Sequence, residues 1–283
     1  MSPDGDFRRI AIVGVGLIGG SLAFAVRRRF PDVAIVGIDR DDVVTAARQL
    51  GALSQGTTDL AGVAGADLVV LAAPVVANLE AMERLPSLLD GPAIVTDVGS
   101  TKRATVDAAR ALPARLQFIG GHPLAGAARG GIEASRPDLF ERRTWVLTPS
   151  LTTSREVVER VGRFVRALGA VPLELDAETH DRVLAFTSHL PQLTASALMQ
   201  VVGDGVGDHG LQFSGGGLAD TTRVAASPAR IWTDICQTNA DELIPALDRL
   251  IESLQSARRD LASGRTLEPM FESAQRWRAR LRT

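Results

Sequence analysis

An uncharged, glycine-bearing segment near the N-terminus constrains most strongly how this chain can fold. Residues 10–26 read IAIVGVGLIGGSLAFAV, with two arginines before them and three after them. The segment imitates a secretion signal or a membrane helix, but it is shorter than the ~20 residues of a bilayer span, and its glycines disfavour an isolated apolar helix. A buried parallel strand over 8–13 and a helix over 17–29 explain both the apolar run and the glycines.

The same glycines fit the fingerprint of a dinucleotide-binding turn. Gly14, Gly16 and Gly19 match GxGxxG around Leu17 and Ile18, between an expected strand and an expected helix. Gly14 would permit the tight turn, Gly16 would let the backbone approach a pyrophosphate, and Gly19 would let the helix pack closely on the strand. The phosphates would then bind the unpaired N–H groups at the helix N-terminus. A glycine-rich turn without a ligand is the alternative.

An acidic residue at the end of the second strand favours NAD over NADP as the cofactor. Asp39 lies twenty positions after Gly19, where its carboxylate can accept hydrogen bonds from the adenosine ribose and would repel a 2′-phosphate. Arg40 could instead bind that phosphate, although we interpret it as a surface charge that borders the cofactor. Ala73 and Pro74 end a later strand at the same edge of the sheet, and we expect them to contact the cofactor through their shape.

Strand-like and helix-like segments alternate through the first part of the chain. Short apolar runs occupy 33–39, 68–74, 93–99, 116–122, 144–149 and 171–176. Ser154 can cap a helix that runs to Leu168. Strands separated by helices of 10–15 residues predict βαβ units, and therefore a Rossmann-type α/β fold with a doubly wound, mostly parallel sheet. We assign residues 1–175 to this dinucleotide-binding domain.

The rest of the chain is helical in period and predicts a second domain over 176–283. Apolar residues recur every three or four positions over 177–202 and 228–262, and a last helix is expected over 268–281. Pro245 is expected to kink the second of these helices. Because a small helical domain buries little apolar surface by itself, we expect it to form a homodimer as well as to contribute to the substrate site.

The composition excludes several other classes of protein. The chain has 31 basic and 33 acidic residues, 4% aromatics and no Tyr, so neither a basic nucleic-acid surface nor a base-stacking platform is expected. Its single cysteine permits no internal disulfide and favours a reducing cytoplasm. His180 and His189 lie nine residues apart and would not share one face of a regular helix, so no metal site is expected. We therefore expect a cytoplasmic protein that binds a small molecule and has no membrane partner.

Polar residues that follow the central strands are candidates for catalysis. DVGSTK (97–102) contains Ser100 and Lys102, the only lysine, and GGHPLAG (120–126) contains His122. An imidazole between Gly and Pro at a strand end is poorly placed for core packing and suits a general base near neutral pH, although a structural histidine is the alternative. Ser100 can bond that imidazole or a substrate hydroxyl, or cap a helix over 101–111. Lys102 is expected to be a solvated residue at the start of that helix.

Arg223 is the candidate for binding a substrate carboxylate. It lies beside the end of an apolar helix in the segment ADTTRVAASPARIWTDI (219–235). A guanidinium can hold a carboxylate through two parallel hydrogen bonds. A salt bridge to Asp220 is the alternative.

Five segments together resemble the TyrA family of prephenate and arogenate dehydrogenases. They are GVGLIGGS, DVGSTK, GGHPLAG, HDRVLAFTSHLPQL and ADTTRVAASPARIWTDI, and the resemblance spans about residues 8–240. The first expected strand begins near residue 8 and the chain stops at a helix, so we expect a monofunctional enzyme without a fused mutase or ACT domain. The resemblance implies that this enzyme uses NAD to convert prephenate to 4-hydroxyphenylpyruvate in tyrosine biosynthesis. It also implies that His122 is the catalytic base, that Ser100 orients it, that Arg223 and His189 bind the substrate, and that Trp232 lines the same pocket.

Two departures from the family pattern leave alternatives open. Ala127 and Ala128 follow GGHPLAG where Ser or Thr and then Glu are frequent, and Gln192 replaces the last His of SHLPH. Both changes remove polar groups near the expected substrate side chain, so arogenate is an alternative substrate, although no acidic residue stands out to pair with its ammonium group. Another β-hydroxyacid dehydrogenase or imine reductase would typically use a lysine in the helical domain, which this chain lacks. A non-catalytic NAD-binding protein would need neither His122 nor Arg223.

Overall fold

An eight-stranded sheet forms the centre of the N-terminal part of the protein. The computed structural model describes residues 7–127 and 129–281, so Ala128 lies outside the described residues. The strands are β1 (Arg9–Val13), β2 (Ala34–Ile38), β3 (Gln55–Thr57), β4 (Leu68–Leu71), β5 (Ala93–Asp97), β6 (Leu116–Pro123), β7 (Thr144–Pro149) and β8 (Val171–Glu174). Their order is β3-β2-β1-β4-β5-β6-β7-β8, and only the β6–β7 pair is antiparallel. The predicted Rossmann-type, mostly parallel sheet is confirmed; β3 was not predicted, because its QGT sequence has no apolar pattern.

Five helices accompany the sheet, and the segment after β8 contains helices and turns without a strand among its described residues. The first five are α1 (Leu17–Arg29), α2 (Asp41–Gln49), α3 (Val75–Leu88), α4 (Arg103–Ala108) and α5 (Arg155–Ala167). The others are α6 (Ala177–Leu184), α7 (Leu190–Leu211), α8 (Gly216–Thr222), α9 (Ala229–Thr238), α10 (Ala240–Ala262) and α11 (Glu268–Arg278). Among the described residues, no helix has the length and apolarity that a bilayer crossing requires.

Alternation along the strands divides the apolar core between the two faces of the sheet. In β1, Ile10 and Ile12 belong to one buried cluster, whereas Ala11 and Val13 belong to another. Successive strand residues point to opposite faces, so each cluster lies under a different helical layer. Both faces are therefore covered, which leaves the ends of the strands as the part of the sheet that can bind a ligand.

Three local predictions can be compared with the helix ends. Ser154 caps α5 as predicted, because its hydroxyl accepts a hydrogen bond from the Val157 N–H at 3.3 Å. Ser100 does not cap a helix, since α4 begins only at Arg103. The expected 228–262 helix is interrupted at Asn239, which has non-helical dihedral angles (φ −130°, ψ 27°), and Pro245 lies within the continuous α10.

A buried ion pair joins the end of β5 to the start of α4. The side chains of Asp97 and Lys102 are both 0% exposed, and the Lys102 ammonium donates to Asp97 Oδ2. Asp97 also accepts hydrogen bonds from the N–H groups of Gly99, at 3.0 Å, and Gly121, at 3.1 Å. The prediction of a solvated Lys102 is wrong, because the lysine folds back onto the strand end. Burial lowers the pKa of Lys102, and the negative charge of Asp97 opposes that shift.

We expect Lys102→Met to lower the free energy of unfolding by about 3 kcal/mol or more, because it leaves the buried Asp97 carboxylate without its cation. Arg28→Met is the matched control, since it removes one partner of an exposed pair with Glu141, whose two side chains are 52% and 47% exposed, and we expect it to cost less than about 1 kcal/mol. Urea denaturation of both variants measures the difference. If both variants lose the same small amount of unfolding free energy, a structural role for the buried pair is contradicted.

Candidate active site

A cleft of about 670 Å³ runs along the carboxyl ends of the parallel strands. Seven residues predicted to bind the cofactor line it: Gly14, Gly16, Leu17, Ile18, Asp39, Ala73 and Pro74. Gly19 lies behind the turn, where a Cβ atom would come within 2.0 Å of the Gly14 carbonyl oxygen. The Arg40 guanidinium is exposed and contacts Asp42 at 3.3 Å. From the helical part, α9 contributes Ile231 and Asp234, so the cleft lies between the two parts of the chain.

The shape of the β1–α1 turn fits a dinucleotide. Gly14 has a φ of +93°, which a residue with a side chain rarely adopts, and Gly16 has no atom within 4 Å of the position that a Cβ would take. Gly16 therefore leaves room for a pyrophosphate against the backbone. The Asp39 carboxylate is fixed next to this turn, because it accepts hydrogen bonds at 2.7 Å from the N–H groups of Val15 and Arg40. A carboxylate in this position suits the ribose hydroxyls of NAD and repels a 2′-phosphate.

His122 lies at the end of β6, immediately after the residue that Asp97 holds. The strand approaches β5 so closely that a Cβ on Gly121 would lie 2.5 Å from the Asp97 carbonyl oxygen, which explains the glycine before the histidine. The imidazole is half-buried. Burial lowers the pKa of His122 well below its ordinary value, and the nearby His180, Lys102 and His189 lower it further. The ring is therefore neutral at pH 7 and can accept a proton.

The hydrogen-bond partner of His122 is His180, a residue for which sequence analysis predicted no role. His122 Nδ1 lies 2.9 Å from His180 Nε2, and His180 Nδ1 lies 2.8 Å from Asp181 Oδ1. Ser100 lines the cleft, but it forms no hydrogen bond with His122. The predicted contact between Ser100 and the substrate hydroxyl stays a prediction. The sequence contains a possible signal for this contact, the His-Asp pair that begins HDRVLAFTSHLPQL, but only the folded structure shows that His180 contacts His122 in β6.

The Asp181 carboxylate connects α6 to the start of α4. It accepts hydrogen bonds from the backbone N–H groups of Lys102, at 2.7 Å, and Arg103, at 2.9 Å. Burial raises the pKa of Asp181, but the hydrogen bonds from His180 and from these two N–H groups outweigh it, and the net shift is downward. The carboxylate is therefore ionised at neutral pH.

His189 is fully buried and has one nitrogen without a partner. Its Nδ1 lies 3.1 Å from Asn239 Nδ2, whereas its Nε2 makes no hydrogen bond with any described residue. Burial lowers the pKa of His189 to about 4, so the ring is neutral. Its centroid lies 6.1 Å from that of the half-buried Trp232, in an edge-to-face arrangement. The two residues predicted to bind substrate are thus adjacent, and His189 has a buried polar atom without a partner among the described residues.

A π-helical turn explains why His180 and His189 converge on one cluster. Nine residues of regular helix would place them on opposite sides, but residues 185–189 form a π-helix, which inserts one extra residue. The insertion reduces their angular separation to about 80°. The expectation from regular periodicity is therefore wrong at this position, and Asn239 contacts both His189 Nδ1 and the Asp181 carbonyl oxygen.

Arg223 is an exposed cation in a turn that Gln192 holds through the backbone of the next residue. It begins a 3₁₀ turn over Arg223–Ala226 and forms no hydrogen bond or ion pair within residues 7–127 and 129–281, so the alternative pair with Asp220 is not formed. Gln192 is 6% exposed, and its Nε2 donates to the Val224 carbonyl oxygen at 2.9 Å. The glutamine therefore fixes the turn that carries Arg223. In the described ranges, no group of three or more His, Cys, Asp or Glu side chains is arranged to hold a metal ion.

Comparisons with known proteins agree over nearly the whole chain. Residues 22–174 match the family described as "Prephenate dehydrogenase, nucleotide-binding domain", and residues 176–273 match "Prephenate dehydrogenase, dimerization domain". The chain is 36% identical to a prephenate dehydrogenase of Bacillus subtilis, covering 88% of this chain and 69% of that protein. It is 35% identical to a cyclohexadienyl dehydrogenase of Zymomonas mobilis, covering 98% and 97% of the two chains.

A solved structure supports the same assignment. The crystal structure of prephenate dehydrogenase from A. aeolicus, in complex with hydroxyphenyl propionate and NAD+, has a TM-score of 0.89, is 31% identical, and covers 96% of this chain and 98% of its own. The sheet, the NAD-type turn and the helical part therefore agree with both sequence and structural relatives. The chain belongs to the prephenate dehydrogenase family.

Proposed function

We propose that this chain catalyses the NAD-dependent oxidative decarboxylation of prephenate to 4-hydroxyphenylpyruvate, a step of tyrosine biosynthesis. The observation that carries the proposal is a neutral imidazole, His122, at the end of β6, whose pKa is held well below its ordinary value. β6 pairs with β5, and the residues that follow β5, Gly99 and Ser100, line the dinucleotide cleft. A cyclohexadienol that loses a hydride from its hydroxyl-bearing carbon needs a base on the oxygen, since otherwise a high-energy oxocarbenium-like species forms. We assign the role of that base to His122.

The atoms and electrons of the reaction balance with His122 as a temporary proton acceptor. The hydroxyl proton moves to the imidazole while the hydride leaves the ring carbon, and NAD supplies the hydride acceptor when it is bound. Loss of CO₂ returns the electrons of the broken C–C bond to the ring, which becomes aromatic. The resulting phenolate oxygen takes the proton back from His122, so no proton is released overall. Aromatisation makes the sequence effectively irreversible.

The carboxylate-binding groups come from the helical part of the chain. The Arg223 guanidinium has no protein partner among the described residues, and His189 has an unpaired, buried Nε2 next to Trp232. A dianionic substrate requires a permanently charged cation and hydrogen-bond donors without competing partners. We assign carboxylate binding to Arg223, a hydrogen bond to the substrate to His189, a wall of the pocket to Trp232, and a hydrogen bond to the substrate hydroxyl to Ser100.

The same proposal includes the assembly and the compartment. We assign residues 1–175 to cofactor binding and 176–283 to substrate binding and homodimer formation. Support comes from exposed apolar side chains on the last two helices, among them Leu254, Leu261, Phe271 and Trp277, which are 54–68% exposed. A second copy of the chain that covers them would bury this surface. The balanced charge and the single cysteine support a cytoplasmic location.

We expect His122→Asn to lower kcat by about 10²–10⁴-fold with little change in KM, because it removes the base but not the substrate contacts.

Arg223→Gln should mainly raise KM, by about 10–100-fold, because it removes a charge-assisted contact to a carboxylate. Both variants are assayed by NADH absorbance with prephenate and arogenate, each with NAD and NADP. The reverse kinetic pattern would mean that the two roles are exchanged, and inactivity of the wild-type chain with both substrates would overturn the proposed function.

The pH dependence of kcat/KM follows from the lowered pKa of His122. A base with a depressed pKa stays neutral as the pH falls through the ordinary histidine value of about 6.5, so it is lost only at a more acidic pH. We therefore expect kcat/KM for prephenate to stay flat through about pH 6.5 and to fall only below it. An acidic limb with an apparent pKa of 6.5 or higher would contradict the role given to the environment of His122.

A further inference from the structure

We propose that His180 and Asp181 are positioning residues that hold His122 in the tautomer with its proton on Nδ1, so that Nε2 is free to take the proton of the substrate hydroxyl. The proposal rests on the proposed function, because it deepens the role of His122 as a base. It is carried by an unbroken chain of hydrogen bonds from Asp181 through His180 to His122.

The chain of hydrogen bonds has one fixed end, the Asp181 carboxylate. Oδ1 faces the Lys102 N–H at 2.7 Å, and Oδ2 faces the Arg103 N–H at 2.9 Å and the Arg103 Nε at 3.3 Å. These three groups can only donate hydrogen bonds, so Asp181 acts as an acceptor on both oxygens. The side chain is 0% exposed and has a lowered pKa, which keeps it ionised. Its contact with His180 Nδ1 therefore requires a proton on that nitrogen.

The direction of these hydrogen bonds then follows from the chemistry of neutral imidazole, which has one donor nitrogen and one acceptor nitrogen. In the proposed arrangement His180 carries a single proton, on Nδ1, and it therefore presents an unprotonated Nε2 to His122 at 2.9 Å. His122 must donate from Nδ1, which leaves its Nε2 without a proton. A neutral histidine in water favours the opposite tautomer, so His180 selects the form that can act as a base at Nε2.

The neighbouring His189 is held in the opposite tautomer by the same network. Arg103 Nη2 donates to Asn239 Oδ1 at 2.9 Å, and a guanidinium cannot accept a hydrogen bond, so the orientation of the Asn239 amide is fixed. Asn239 Nδ2 then faces His189 Nδ1 at 3.1 Å and donates to it. His189 consequently carries its proton on Nε2. One cluster thus prepares an acceptor at His122 and a donor at His189, as the proposed reaction requires.

Through these hydrogen bonds, the tautomer of His122 depends on the contact between the helical part of the chain and the sheet. His180 and Asp181 belong to α6, whereas Arg103 begins α4, Lys102 precedes it, and His122 belongs to β6. When His122 takes the hydroxyl proton it becomes a cation, and the ionised Asp181 stabilises that charge through His180. The proton does not have to leave the network, because the phenolate oxygen recovers it.

The proposal is tested by the ¹⁵N spectra of the histidine rings in the ligand-free protein. The chain has four histidines, so each ring can be assigned with one His→Gln variant. Long-range ¹H–¹⁵N correlation spectra at about pH 8, where neutral rings are expected, distinguish the two tautomers. We expect protonated Nδ1 in His122 and His180, and protonated Nε2 in His189. A His122 ring protonated on Nε2 in the wild-type protein would overturn the proposal.

Two substitutions of His180 separate positioning from packing. In His180→Gln the side-chain oxygen can still accept from His122 Nδ1, so we expect the tautomer to persist and kcat to stay within about tenfold of wild type. In His180→Leu the acceptor is lost, and we expect His122 to move its proton to Nε2 and kcat to fall by about 10²-fold or more with KM unchanged. The exposed His209→Gln is the matched control and should change neither readout. An unaltered His122 spectrum in His180→Leu would contradict the proposal.

The two readouts distinguish this proposal from the proposed function. If the wild-type protein shows the expected tautomers but does not convert prephenate, the proposed function is overturned and the hydrogen-bond network is supported. An active enzyme in which His122 carries its proton on Nε2 would overturn the network alone. If His180→Leu does not fold, the spectra of the wild-type protein and of His180→Gln still test the proposal. Both proteins keep an acceptor for His122 Nδ1, so a His122 ring protonated on Nε2 in either of them would contradict it.

Discussion

The Asp181 carboxylate accepts hydrogen bonds from both parts of the chain, and the geometry of the active site depends on this one buried charge. Backbone N–H groups of Lys102 and Arg103 hold it from the side of the sheet, and His180 contacts it from α6. A buried anion is stable only when such donors surround it. This requirement brings α6 against α4, and the same contact places His180 beside His122.

A second buried charge, on Asp97, fixes the strand ends that carry the other functional groups. Its carboxylate binds the N–H groups of Gly99 and Gly121, and thereby holds the residues that precede Ser100 and His122. Its cation is Lys102, the only lysine in a chain rich in arginine. Lys102 connects the two charges, because its ammonium contacts Asp97 and its backbone N–H donates to Asp181. The residue before His122 and the hydrogen-bond partner of its imidazole are therefore held by one connected arrangement.

The sequence predicted those parts of the protein that depend on local patterns. The glycine turn from Gly14 to Gly19, the Ser154 cap and the strand ends at Pro74 and His122 follow from periodicity and backbone chemistry within a few residues. The contacts of His180 with His122 and of Asn239 with His189 could not be predicted in this way, because these partners lie 58 and 50 positions apart along the chain. Asp97 and Lys102 lie only five positions apart, but no local pattern shows that the lysine side chain turns back onto the strand end. The π-helical turn before His189 also defeats regular periodicity, and it reverses the expected relation between His180 and His189.

The most direct test of the account is a crystal structure of the chain with NAD and 4-hydroxyphenylpyruvate bound together. We expect the phenol oxygen to lie within hydrogen-bond distance of His122 Nε2, next to the nicotinamide, and the carboxylate of the product to contact the Arg223 guanidinium. A complex with the nicotinamide in the cleft and the aromatic ring bound away from both His122 and Arg223 would contradict it.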